Sequence, residues 1–188
     1  MSEPAVAYVS HGDYLALEER AEIKHEYLDG VVRAMAGGTI EHARLASRLD
    51  YLVRAALRGR PCEAFSSDAR VRLDSANRST YPDLSIVCGQ LERSTDDPEA
   101  IANPIVLVEI LSPSTEGYDR GDKFRFYRRF PSLREYVLVS QAEPSIEVWR
   151  RDGAAWLPIE HGPGGTVELA SIEITISVDE LYASALAS

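Results

Sequence analysis

The chain has 188 residues, 45% hydrophobic and 27% charged, a balance that fits one soluble globular domain with a core of its own. Cys62 and Cys88 are too few for a disulfide framework, so a reducing cytosol is the expected compartment; no secretory signal opens the chain, and no apolar run approaches the ~18 residues of a membrane span. The net charge of −10 argues against indiscriminate binding to nucleic acid, where neutralised phosphates supply most of the affinity.

In chain order, residues 1–12 read as a loose N-terminal arm on a single domain spanning 1–188. Asp13–Arg20 predicts a short helix with Asp13 as its cap. Lys24–Asp29 alternates and turns at Asp29-Gly30, a hairpin signal ahead of a strand over Val31–Ala36. Thr39–Gly59 carries the longest helical pattern: Leu45, Leu49, Leu52, Val53 and Ala56 share a stripe, and Gly59 is a stop. Strands are expected over Glu63–Leu73, Tyr81–Cys88 and Ile105–Ser112, with the polar, acidic residues 89–103 as a surface loop. Gly121–Phe130 predicts a helix that ends at Pro131. Strands over Glu135–Gln141, Ser145–Arg151, Ala155–Glu160 and Ile172–Ile176 follow, and a helix over Val178–Leu186 closes the order. Helices interleaved with strands in this way predict an α/β fold, a mixed sheet flanked by helices.

The chemistry begins with Glu109. It stands in Pro104–Thr115, where branched aliphatics surround it in a run that reads as a strand covered on both faces. An ionised carboxylate there costs several kcal/mol unless it is paired, hydrogen-bonded or bound to a cation. Asp83 follows Pro82 at the start of a second apolar strand; alone it fits a turn equally well, but adjacent strands would bring it within one metal-ion diameter of Glu109. On the following helix, Lys123, Phe126, Tyr127 and Phe130 recur at i, i+3, i+4 and i+7, which turns the lysine toward the sheet; a lysine snorkelling from that face has the same pattern. Asp119, four residues earlier, would lie beside Lys123 if the helix begins early. Two carboxylates and a lysine can cleave a phosphodiester: Asp83 and Glu109 as ligands to Mg²⁺, which takes carboxylates and waters, and Lys123 orienting the attacking water.

Pro82-Asp83, Val108-Glu109-Ile-Leu-Ser-Pro-Ser-Thr115, Asp119, Lys123, Tyr127 and the strand Glu135–Val139 together resemble the Uma-two family of restriction endonucleases, in the PD-(D/E)XK nuclease superfamily. The likeness runs from about Tyr14 to Val148. It implies a restriction-endonuclease-like core, Mg²⁺ as cofactor with Mn²⁺ as a substitute, and hydrolysis of DNA. It also implies an acidic N-terminal residue, Glu26, as a third metal ligand, against an exposed strand glutamate on the residues alone. His42 matches a family position without a role. One departure stands out: the superfamily lysine two residues after the glutamate is Leu111 here, and Lys123 matches a relocated position on the neighbouring helix.

Arg44, Arg48, Arg54 and Arg58 project within about a third of the long helix's circumference. Arg44 and Arg48 are the candidates for contacting DNA phosphates, against an ordinary solvated face. Cutting both strands of a duplex would favour a homodimer. Two rival functions share the acids. A catalytically inactive nuclease fold, kept for binding or scaffolding, would need no metal; a glycosidase would use Asp83 and Glu109 but leaves Lys123 unexplained.

Overall fold

The computed structural model describes residues 7–35 and 37–183. Helix α1 (His11–Glu18) starts ahead of the expected Asp13, because Ser10 is the cap: its side chain accepts from the Asp13 amide at 3.1 Å and donates to the Asp13 carboxylate at 2.6 Å. Of the expected N-terminal arm, residues 1–6 lie outside the described residues. The part that follows is tied down: the Val9 amide donates to the Gly30 carbonyl at 2.9 Å, and the Tyr27 hydroxyl to the Val9 carbonyl at 3.0 Å. Strands β1 (His25–Leu28) and β2 (Val31–Ala34) form the expected hairpin, turning through Asp29 (φ 49°) and Gly30 (φ 93°). Only glycine fits at position 30, where a Cβ would stand 2.1 Å from the Tyr8 ring. Ala36, at the end of the expected second strand, lies outside the described residues.

Helix α2 (Ile40–Ala56) is capped by Thr39, whose side chain accepts from the His42 amide at 3.1 Å, and it buries Leu45, Leu49, Leu52 and Val53. The single strand expected over 63–73 is two, β3 (Cys62–Ser66) and β4 (Arg70–Leu73), and they enter different sheets. A 3-10 turn (Asp74–Ala76) and Asn77 in the left-handed region then reverse the chain into β5 (Arg78–Thr80), a strand the pattern did not reveal. Strand β6 (Leu84–Cys88) starts only after Pro82-Asp83. The expected surface loop 89–103 is partly structural: it buries Ser94 and Asp97 and contributes β7 (Ala100–Ile101).

Strand β8 (Val106–Leu111) leads into a helical segment that starts well before Gly121: α3 (Glu116–Tyr118), a π-helical turn (Asp119–Lys123) and α4 (Phe124–Tyr127). Strands β9 (Glu135–Ser140), β10 (Ile146–Asp152) and β11 (Ala155–His161) follow as a meander, then an unforeseen β12 (Thr166–Leu169), β13 (Ile174–Ser177) and α5 (Val178–Tyr182). Residues 184–186 of the expected last helix lie outside the described residues.

The central sheet has the order β11-β10-β9-β8-β6-β3 and is mixed, with β8 and β9 parallel and the other pairs antiparallel. A second sheet, β2-β1-β5-β4-β7, stands beside it, and β12 pairs with β13. The side chains of β8 alternate between two cores. Val106, Val108 and Ile110 pack with Leu45, Leu49 and Val53 of α2, whereas Leu107 and Leu111 pack with Phe124, Tyr127 and Phe130. Burial on both faces is why β8 is apolar throughout, each such side chain contributing about 1.5–3 kcal/mol. Helices thus flank a mixed sheet, the α/β architecture expected.

Cys62 and Cys88 stand directly opposite on β3 and β6 and form a disulfide. Two cysteines are too few for a framework but enough for one staple. Among the described residues, no helix is long and apolar enough to cross a membrane.

Candidate active site

The alternation of β8 puts Glu109 on the face covered by the helical segment, 4% exposed. Leu84 pairs with Val108 on the antiparallel β6–β8 ladder, so Asp83, one residue earlier, falls beside Glu109. The Asp83 carboxylate accepts from the Ile110 amide at 2.7 Å, a bond available because the short β6–β8 ladder ends there. It also meets His42 Nε2 at 3.2 Å, from the first turn of α2. That hydrogen bond raises the imidazole above its usual pKa, against the opposing effect of burial.

The π-helical turn presents Asp119 and Lys123 to the sheet, both buried. The Lys123 ammonium lies 3.1 Å from Glu109 Oε1, 3.1 Å from Asp119 Oδ1 and 3.4 Å from Glu26 Oε1, which β1 brings in from the second sheet. Three tyrosines hold this arrangement. Tyr127 donates to Glu109 Oε1 at 2.7 Å and meets the Thr80 hydroxyl at 3.1 Å. Tyr118 donates to Glu26 Oε2 at 3.2 Å, and Tyr136 to the Asp119 carbonyl at 3.0 Å.

Charge does not balance here. Asp83, Glu109, Glu26 and Asp119 face a single ammonium and one imidazole. Burial pushes the Glu109 carboxyl well above the usual range; Asp83 and Asp119 push the same way, and Lys123 and Tyr127 oppose. Burial works against the Lys123 ammonium too, but Glu109, Glu26 and Asp119 outweigh it and hold the lysine protonated well past its ordinary pKa. Glu26 Oε1 and Asp119 Oδ1 are buried and ion-paired, yet neither accepts a hydrogen bond. Crowded carboxyl groups with unused lone pairs are a setting that suits a further cation.

Among the described residues no three Asp, Glu, His or Cys side chains converge as a metal cage. The donor set instead fits an ion held by two carboxylates and completed by water, the habit of Mg²⁺. Asp83 and Glu109 are the carboxylates that would supply such a pair. Glu26 is turned toward Lys123 and Tyr118.

The structure therefore brings Asp83, Glu109, Lys123, Asp119 and Glu26 into one cluster and adds His42. Arg44 and Arg48 stand elsewhere. Arg44 Nη1 donates to the Tyr182 carbonyl at 3.5 Å and Arg48 Nε to that of Glu180, so these arginines tie α2 to α5. Tyr118, Tyr136 and Thr80 carried no signal in the sequence, because each reaches the cluster from an element whose placement the local pattern does not determine.

Known proteins align with nearly the whole chain. An uncharacterized protein of Synechocystis sp. strain PCC 6803, slr1290, is 38% identical over 175 residues, covering 93% of this chain and 91% of the relative. A second uncharacterized protein of that strain, sll1609, is 32% identical over 164 residues, covering 86% and 93%. The crystal structure of a putative nuclease belonging to DUF820 from Anabaena variabilis ATCC 29413 superposes with a TM-score of 0.76 at 18% identity, over 93% of this chain and 97% of that one, and so has the same fold. The family model of Uma2, described as "Putative restriction endonuclease", matches residues 12–179, and this chain belongs to that family.

Proposed function

We propose that the protein is a metal-dependent endonuclease that hydrolyses phosphodiester bonds in DNA. The observation that carries the reading is a buried Lys123 within 3.1 Å of Glu109, on the face where Asp83 arrives from the turn before the adjacent strand. Asp83 and Glu109 would hold Mg²⁺ or Mn²⁺, with Glu26 next to them as the third acidic candidate. The ion, when bound, supplies a polarised phosphate and an acidified water.

The remaining roles belong to the protein. Lys123 is kept protonated, so it serves as a donor rather than a base: it orients the attacking water and stabilises charge that develops on the phosphate oxygens. Asp119 and Glu26 fix that ammonium; Tyr127 fixes the Glu109 carboxylate, and His42 that of Asp83. Asp83 and His42, with side chains 15% and 22% exposed, form the open edge at which a phosphate would arrive. Arg44 and Arg48, bonded to α5, would contribute to DNA binding only by releasing that helix. A symmetric dimer would pair two such sites across a duplex.

The alternative is a nuclease fold kept for binding or scaffolding, and one observation favours it: Lys123 already supplies the cluster with an internal cation. Calorimetry with Mn²⁺, with and without an oligonucleotide, on the wild type and a folded Asp83→Asn/Glu109→Gln variant separates the two. The expected result is wild-type binding that the double variant loses, plasmid cleavage that requires Mg²⁺ or Mn²⁺, and a rate lower by about 10²–10³-fold in Lys123→Ala with metal binding retained. Absent metal binding in every condition, together with absent cleavage, would replace the nuclease by the binding module.

A further inference from the structure

The β8–β9 ladder has a second end. Val106 pairs with Glu135 at its start and Glu109 with Leu138 further along, so Glu109 stands ~10 Å from that start at ~3.3 Å per residue. At the Glu135 end the sheet leaves an open pocket of about 390 Å³, lined in part by Arg134, Arg150, Arg151 and Ser171. That volume lies within the ~300–1,000 Å³ of small-molecule sites.

Its charges are unequally matched. Glu135 is wholly buried and fully engaged: it accepts from Arg150 Nε at 2.9 Å, from the Ala170 and Ser171 amides at 3.1 Å each, and from the Ser171 hydroxyl. Arg150 is thereby neutralised, and it also donates to the Glu168 carbonyl at 2.8 Å. Arg151 donates only to main-chain carbonyls, those of Arg128, Phe130 and Pro131, and lies 4.8 Å over the Trp156 ring. The exposed Arg134 makes no side-chain hydrogen bond or ion pair among the described residues. Burial and the neighbouring Arg134 both press the Arg151 guanidinium below its usual pKa; the two arginines line one pocket, and neither is paired with a carboxylate among the described residues. The exposed Glu168 carboxylate stands at the margin, 4.0 Å from Arg150. In a chain of net charge −10, this concave, locally cationic surface is an exception.

We infer that this pocket binds a phosphate group, gripped by the Arg134 guanidinium with Arg151 beside it. A guanidinium presents paired donors that match phosphate oxygens, and a phosphate would relieve the Arg134–Arg151 repulsion. The phosphate belongs either to a free mononucleotide or to a nucleic-acid strand, since both offer the same oxygens. This site is separate from the carboxylate cluster and does not depend on its reaction.

Trp156 lies against Arg151, and the chain's other tryptophan, Trp149, precedes Arg150 on β10; both also pack on Phe124, so the Arg134 variants decide whether an emission change comes from this pocket. The test titrates inorganic phosphate, a nucleoside 5′-monophosphate and an oligonucleotide into the protein in EDTA, comparing wild type with Arg134→Gln, Arg134→Glu and the exposed control Arg20→Gln. The expected result is a saturable emission change whose dissociation constant weakens at least tenfold in both Arg134 variants and stays within twofold in the control. Saturation by the monophosphate assigns a free phosphate ester; saturation by the oligonucleotide alone assigns a strand. No saturable change with any titrant, or equal affinity in Arg134→Glu, overturns the site. Because divalent ions are absent throughout, failure here leaves the nuclease reading untouched, and failure of catalysis leaves this site untouched.

Discussion

Tyr127 joins two buried groups that lie far apart in sequence, the Glu109 carboxylate and the Thr80 hydroxyl. Its own hydroxyl is pushed well above the ordinary pKa by burial and by Glu109, so it remains a donor. Tyr127→Phe is expected to leave the buried carboxylate one donor short, lowering stability by about 1–3 kcal/mol in urea denaturation. At residue scale the sequence was informative where one side chain broke a pattern. Glu109 stood out as a charge within an apolar run, and Lys123 as a base on an apolar helical stripe. Tyr118 and Tyr136 broke no pattern, since aromatic residues belong on buried faces with or without a polar task. Arg44 and Arg48 show the opposite failure: their spacing described an arc of α2, but not that α5 would cover part of it.

Elements followed the same logic. Hydrophobic period revealed α2, β8 and the meander from β9 to β11. It could not reveal that apolar alternation through 63–73 crosses from one sheet to another, nor that a π-helical turn would shape the start of the segment bearing Lys123. Residues 89–103 looked like a solvated loop because they are polar, yet polar contacts are what fix them. The Asp74 carboxylate, in the turn between β4 and β5, accepts from the Ser94 hydroxyl at 2.6 Å, the Thr95 amide at 3.1 Å and the Thr95 hydroxyl at 3.0 Å. Burial opposes the charge, but these hydrogen bonds and Arg72 hold the Asp74 carboxyl below its ordinary 3.8. A carboxyl lowered in the folded state contributes stability that is complete above the unfolded value and is lost as pH falls through the folded one. Asp74→Asn is therefore expected to cost about 1–3 kcal/mol near neutral pH. In denaturant titrations that difference from the wild type should shrink below pH 3.8.

For the whole molecule, a single staple ties β3 to β6 at one edge of the central sheet, both cysteines packing against the core under α2. The Cys62–Cys88 bond closes a ring with a sequence separation of 26, for which loop-closure entropy corresponds to about 3.5 kcal/mol. Reduction, or a Cys62→Ser/Cys88→Ser variant, is expected to lower the melting temperature by roughly 10 °C in a chain of this size, read by calorimetry with and without a dithiol. The ring encloses β4, β5 and the Asp83 turn, and so threads both sheets. A protease that nicks the chain between the two cysteines would release no fragment: both pieces stay covalently joined, and the cut becomes visible by mass only on a gel run with reductant.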